Sequence, residues 1–101
     1  MAVNIYLSQL LDRYGGLLPE KQLRILDGYY NNDLSLSEIA ENEGISRQGV
    51  SDFIKRGVAQ LYEFEEKLGY MDILASLKSA ADSVRSGKGG IEELLKIIEK
   101  L

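Results

Sequence analysis

The stretch Leu36-Ser37-Glu38-Ile39-Ala40-Glu41-Asn42-Glu43-Gly44-Ile45-Ser46-Arg47-Gln48-Gly49-Val50-Ser51-Asp52-Phe53-Ile54-Lys55-Arg56 has the layout of two helices joined by a sharp turn. Ser35-Leu36-Ser37-Glu38 reads as a capping box, in which a serine hydroxyl and a glutamate carboxylate each satisfy an orphan backbone donor at the helix start. Ile39 and Ala40 face inward, and Ala40 is small enough for a second helix to cross close by. Gly44 supplies turn geometry that residues with a Cβ resist. Ser46 caps the next helix, and Ile45, Val50 and Phe53 fill the angle between the two. Outward on the second helix lie Ser46, Arg47, Gln48, Ser51, Asp52, Lys55 and Arg56. Glu43 breaks the pattern, because a buried aliphatic residue is expected just before the turn glycine.

Downstream, Val50, Ile54, Gly57, Leu61, Phe64 and Leu68 alternate steps of four and three, a coiled-coil type of seam. Gly69 ends that helix. Upstream, Val3, Leu7, Leu10, Leu11 and Tyr14 predict a first helix over roughly residues 3–13. Gly15-Gly16 closes it, either glycine being able to supply a left-handed cap. Pro19 suits the first turn of a second helix, lined by Leu23, Leu26 and Tyr30 with Ile25 and Tyr29 beside them, and Asn31-Asn32-Asp33 ends it. Past Gly69, Tyr70, Leu74, Leu77, Ala81 and Val84 resume the helical period. Ser86-Gly87-Lys88-Gly89-Gly90 is a flexible break, and Ile91, Leu94, Leu95, Ile98 and Leu101 mark a last amphipathic helix.

The expected fold is therefore all-α: a helix-turn-helix bundle of about six helices without a sheet, winged-helix-like or like region four of sigma factors. Its expected division is an N-terminal helical domain, residues 1–69, containing the helix-turn-helix at about 36–56, and a C-terminal helical extension, residues 70–101, with the glycine-rich break at 87–90. The seam Val50–Leu68 has two readings, an antiparallel hairpin with the helix over 70–85 or a junction with a second chain. The short link at Gly69 favours the hairpin. Excess apolar surface on Ile91–Leu101 then predicts a homodimer.

Composition narrows the function. Among 101 residues there is no Cys and no His, which removes disulfides, thiolate metal sites and the commonest general base. No apolar run approaches the roughly 20 residues that span a bilayer, and Met1-Ala2-Val3-Asn4 lacks a basic leader, so no membrane insertion and a cytoplasmic location are expected. Net charge is −4, yet its distribution is uneven: residues 1–45 carry −4, residues 46–60 carry +2 and residues 61–101 carry −2. One short segment is positive while both flanks repel phosphate.

That segment coincides with the outward set of the second helix. Ser46, Arg47, Gln48, Ser51, Lys55 and Arg56 are the candidate nucleic-acid-binding residues. The first residues of such a helix reach base edges, and its N-terminal end favours phosphate. Arg47 can pair with guanine or phosphate and Gln48 can read adenine, while Lys55 and Arg56 position on the backbone. Asp52 would repel phosphate or accept from a cytosine amino group. The competing reading is a solvated helix face with an Asp52–Arg56 ion pair at four-residue spacing, and the same architecture also serves protein binding.

The run Tyr14, Leu17-Leu18, Lys21-Gln22, Tyr29-Tyr30, Asp33, Ser35 to Ala40 and Gly44, continued by Ser46-Arg47-Gln48-Gly49-Val50, Asp52 and Ile54-Lys55-Arg56, resembles the YlxM family of small bacterial helix-turn-helix proteins. Lys55-Arg56 after Ser46-Arg47-Gln48 resembles, more distantly, the promoter-reading domain in region four of sigma factors. The resemblance implies a DNA-binding regulator of transcription, with DNA ahead of RNA as partner, linked to the signal recognition particle pathway. As the alternative it admits an accessory that binds that particle's GTPase or RNA without reading DNA sequence. The family residue at position 49 is usually Ala, so Gly49 departs from it. Residues from Ser79 onward match the family poorly.

Other chemistry is weak. Glu65-Glu66 and Glu92-Glu93 diverge by about 100° on a helix and read as solvated faces rather than acid/base pairs. Gly87-Lys88-Gly89-Gly90 follows no strand and lacks phosphate-loop spacing. Of six tyrosines, Tyr14 and Tyr30 fall on core-facing lines and Tyr29 abuts them, leaving Tyr62 open. No catalytic residues, metal or cofactor are expected, and the chain is not read as an enzyme.

Overall fold

The computed structural model describes residues 4–101. Among the described residues six α-helices form: α1 (Ile5–Tyr14), α2 (Glu20–Tyr30), α3 (Leu36–Glu43), α4 (Arg47–Leu68), α5 (Tyr70–Arg85) and α6 (Ile91–Lys100). Among the described residues there is no strand, so no β-hairpin wing accompanies the helix-turn-helix. None of these helices is long and apolar enough to cross a membrane. The chain divides into two compact units, Met1–Lys67 and Leu68–Leu101.

In the first unit, the Asn4 side chain caps α1 by accepting from the Leu7 N–H at 3.0 Å. Leu7, Leu10, Leu11 and Tyr14 of α1 are buried at helical spacing. Val3, expected on the same stripe, lies outside the described residues. Gly15 does not provide a left-handed cap: its φ is −55°, and Gly15–Leu17 continue as a 3-10 turn. The glycine serves close approach instead, since a Cβ there would lie 2.8 Å from Leu23 Cδ1. Pro19 sits one residue before α2, as its N-cap. At the far end of α2 the Asn31 amide donates to Asp27 and its carbonyl accepts from Ser8 of α1, at 2.7 and 2.9 Å.

The core of this unit joins α1, α2, α3 and the first two-thirds of α4. Leu10, Ile25, Leu26, Val50 and Leu61 are fully enclosed, with Ile39 and Ala40 beside them. The seam of α4 from Val50 to Leu61 finds its partners in this unit. Val50, Ile54, Gly57 and Leu61 are buried, the Phe64 ring lies 6.1 Å from that of Tyr14, and the Tyr62 ring lies 5.8 Å from that of Tyr6, tilted by 44°. The Tyr14 hydroxyl donates to Glu65 Oε1 at 2.7 Å. Glu65, read from sequence as a solvated carboxylate, is thus a half-buried packing partner. The one buried polar side chain of the described core is Gln22, whose amide Nε2 reaches the Phe53 carbonyl at 3.4 Å.

Helix α2 meets α4 at Gly57. A Cβ there would lie 2.6 and 2.8 Å from the two Leu26 methyl carbons and 3.3 Å from Gln22 Cγ. Leu26 has no exposed surface, so its methyls have nowhere to retreat.

In the second unit, α5 and α6 form a helical hairpin across Ser86–Gly90. Gly90 abuts the Ala80 carbonyl and Ser83, while Lys100 and Leu101 lie with Asp72, Ile73 and Ser76, so the two helices run antiparallel.

Two glycines of α4 should respond oppositely to the same change. Gly57→Ala is expected to lower stability by roughly 1–3 kcal/mol through overpacking. Gly49→Ala should raise it by up to about 1 kcal/mol, its Cβ meeting only the exposed Ser46 Oγ at 3.2 Å and Ile45 carbons beyond 3.5 Å. Urea unfolding midpoints of the two variants would check both signs.

Candidate nucleic-acid interface

The turn that aims α4 is built by backbone hydrogen bonds and one ion pair. The capping box of α3 is complete: Ser35 Oγ accepts from the Glu38 N–H at 3.1 Å, and Glu38 Oε1 accepts from the Ser35 N–H at 3.0 Å. Those bonds hold the Glu38 carboxyl below its ordinary range, the backbone donor being the larger cause. At the other end Gly44 takes φ 69°, the left-handed region open to glycine. Its N–H donates to the Glu41 carbonyl at 3.4 Å and that of Ile45 to the Ala40 carbonyl at 3.1 Å, the paired closure of a Schellman motif.

Glu43, irregular in the sequence, has its reason here. Both of its oxygens accept from the Arg24 guanidinium, each at 2.7 Å, tying the last residue of α3 to α2. The Glu43 side chain is 11% exposed and that of Arg24 53%. Hydrogen bonding from Arg24 pulls the Glu43 carboxyl below its usual range, with burial opposing and the charges of Arg24 and Lys21 adding to it.

Ser46 Oγ then accepts from the Gly49 N–H at 3.0 Å, capping α4. Ser46, Arg47, Gln48, Lys55 and Arg56 are exposed and Ser51 is half-buried. The sequence treats these six as one outward set, whereas the helix separates them. Arg47 and Arg56 are nine residues apart, about two and a half turns, so they leave α4 on opposite flanks. Between the flanks stand Gln48, Asp52 and Lys55. Gln48 Nε2 donates to Asp52 Oδ1 at 3.1 Å, and among the described residues no Asp52–Arg56 pair forms. Arg56 instead lies over the Phe53 ring, its guanidinium carbon 4.9 Å from the centroid.

Phe53, expected to plug the interhelical angle, is only half-buried at the edge of the core. A second cation approaches the same ring, Lys21 of α2, with Nζ 5.4 Å from the centroid. Contacts of this kind attract the cation to the ring quadrupole. Lys21 therefore joins the positive cluster of α4, a residue that sequence reasoning missed because it sits in the acidic N-terminal block. Its sequence signal is its place, as Lys21-Gln22, in the run that resembles the family. Among the described residues, no group of three or more Asp or Glu side chains is arranged to hold a metal ion.

The sequence profile of the UPF0122 family, described as "Putative helix-turn-helix protein, YlxM / p13 like", matches residues 1–100. The chain belongs to this family. The UPF0122 protein of Fusobacterium nucleatum is 42% identical over 97 residues, covering 96% of this chain and 93% of that one. That of Thermoanaerobacter sp. strain X514 is 42% identical over 103 residues, covering 96% and 88%. The UPF0122 protein of Acetivibrio thermocellus reaches 57% over 72 residues, covering 71% and 62%. The helix-turn-helix of the family description is supplied here by α3, the turn at Gly44 and the start of α4.

Because the Glu43 pKa is lowered on folding, its contribution is present above the unfolded carboxylate value of about 4.3 and is lost as pH falls through the folded value. Stability should drop on acidification below about pH 4. Glu43→Gln should be less stable than the natural chain at neutral pH and lose less on acidification. Urea midpoints at neutral and acidic pH would show whether the two curves converge.

Proposed function

We propose that this UPF0122 protein is a nucleic-acid-binding regulator that lays α4 in the major groove of duplex DNA, with DNA preferred to RNA. The observation that carries the reading is the arrangement of charge around α4: Arg47 on one flank, Arg56 with Lys21 on the other, and exposed Gln48, Asp52 and Lys55 between them. A helix is about 10–12 Å across with its side chains, and the major groove about 12 Å wide. A helix seated there has a phosphate rim on each side and base edges beneath. Cations on both flanks meet both rims, and Gln48 and Asp52 of the strip meet the bases.

The roles divide accordingly. Arg47, at the positive end of the helix dipole, contacts phosphate or guanine. Gln48 offers an amide for adenine once it leaves Asp52, and Asp52 accepts from a cytosine amino group. Lys55, Arg56 and Lys21 hold the backbone. Ser51, half-buried, and Ser46, already capping α4, make secondary contacts. The reading head is a homodimer in this proposal, so that two such surfaces address two half-sites.

A second reading has one observation in its favour. Glu20, Asp33, Glu38 and Glu41, all from the acidic N-terminal block, are exposed, which suits a basic partner such as the signal recognition particle's GTPase, or that protein bound to its RNA. One titration series separates the readings: duplex DNA, the particle RNA and the particle GTPase, each at two salt concentrations.

Four cations per chain predict a salt slope of about −3.6 for one head. Arg47→Ala with Lys55→Ala should weaken DNA binding at low salt at unchanged helical content, and an unaltered mobility shift would remove this surface from consideration. Lys21→Gln alone should reduce the slope by about 0.9, uniformly across DNA sequences, as a phosphate contact does.

A further inference from the structure

On the strip between the two flanks of α4, Gln48 Nε2 donates to Asp52 Oδ1 at 3.1 Å, and both residues are exposed. A carboxylate only accepts, so the amide must turn its nitrogen toward Asp52. The reverse orientation would set Gln48 Oε1 against a charged oxygen. The bond engages one of the two amide hydrogens and leaves Oε1 and the second hydrogen for another partner. Adenine presents one donor, its N6 amino group, and one acceptor, N7, in the major groove. These complement what Gln48 retains, so an adenine contact does not require Gln48 to leave Asp52.

Asp52 has an oxygen to spare as well. Lys55 and Arg56 stand three and four residues further along the helix, the spacing at which ion pairs form. Among the described residues neither pairs with Asp52, and Arg56 lies instead over the Phe53 ring. A carboxylate without a cation is repelled by phosphate and by the acceptor oxygens O6 of guanine and O4 of thymine. The cytosine N4 amino group matches it. The polar ends of Gln48 and Asp52 are 3.1 Å apart, close to the roughly 3.4 Å between successive bases of a strand. The two side chains therefore suit neighbouring base pairs.

We infer that Gln48 and Asp52 act as one reading unit, selecting an adenine and a cytosine of adjacent base pairs in the major groove. Asp52 is both a positioning residue, holding the Gln48 amide in one orientation, and the acceptor for the cytosine amino group. The inference rests on the DNA reading of α4 and adds to it the bases that α4 selects.

Selection from a randomised pool of duplexes by the full chain is expected to enrich adjacent adenine and cytosine, and titration of the selected duplex separates the parts. Gln48→Ala should lose roughly 10-fold discrimination at the adenine position and keep that at the cytosine. Asp52→Asn leaves an oxygen for the Gln48 amide but offers the groove an amino group. It should keep adenine and exchange cytosine for guanine or thymine. Asp52→Ala should lose the preference for cytosine and weaken that for adenine, the coupling expected of residues in one network. Both positions are exposed, so far-UV circular dichroism should be unchanged, and damage to the fold does not exchange one preferred base for another.

A full chain that fails to bind duplex DNA at low salt overturns this inference together with the DNA reading. Binding without base preference overturns the inference alone, as does an Asp52→Asn chain that still prefers cytosine. An Asp52→Ala chain that discriminates adenine as the natural chain does overturns the positioning role.

Discussion

At Gly57 the backbone of α4 comes so close to α2 that a single methyl group would lie 2.6 Å from a Leu26 methyl carbon with no room to move. This contact sets both the distance between the helices and the rotation of α4 about its axis. Gly57 turned inward brings Val50, Ile54 and Leu61 inward with it, and it fixes the strip Gln48-Asp52-Lys55 as the side that faces away. The Gln22 amide, reaching the Phe53 carbonyl beside the same contact, adds a directional bond that apolar packing does not supply. A larger side chain at position 57 would push the helices apart and release the orientation that the surface of α4 depends on.

Helix α2 consequently serves both sides of the turn. Lys21 reaches the ring of Phe53, Gln22 the backbone of α4, Arg24 the last residue of α3 and Leu26 the glycine of α4, all within two turns of one helix. The consequence for electrostatics is a sorting of charge. Arg24 is engaged by Glu43 at the turn, while Lys21, from the same acidic block, stands with Arg56. Screening limits exposed charges to a range of about 8–10 Å at physiological salt, so this local arrangement governs what α4 attracts more than the net −4 does.

The elements that sequence periodicity and cap chemistry describe are local, and those were legible: the capping box at Ser35 and Glu38, the left-handed Gly44, the buried line of α4 and the six helices. What escaped was long-range pairing. Glu43 violates the local apolar pattern because its partner Arg24 is 19 residues away, and Glu65 reads as solvated because Tyr14 is 51 residues away. Gly15 reads as a terminator, yet its use is the approach of Leu23. Within the candidate site, Arg47, Gln48, Lys55 and Arg56 were legible as exposed residues. Their separation onto two flanks follows from helical geometry, and the recruitment of Lys21 requires the fold.

The seam of α4 shows why helix patterns do not name their partners. Steps of four and three specify that one stripe must be covered and leave open by what. The first unit holds apolar stripes on α1 and α2 that need a cover, and Val50, Ile54, Gly57 and Leu61 are buried there, while Leu68 at the end of the seam is exposed. Helices α5 and α6 pack on each other, and two short helices in contact cannot enclose a core: each buries one side against the other. The apolar periodicity of α6 is wide enough for two faces, one toward α5 and one outward. The same physical rule that assigns Val50, Ile54 and Leu61 to the first unit leaves Ile91, Leu95 and Ile98 as an apolar stripe that α5 does not bury.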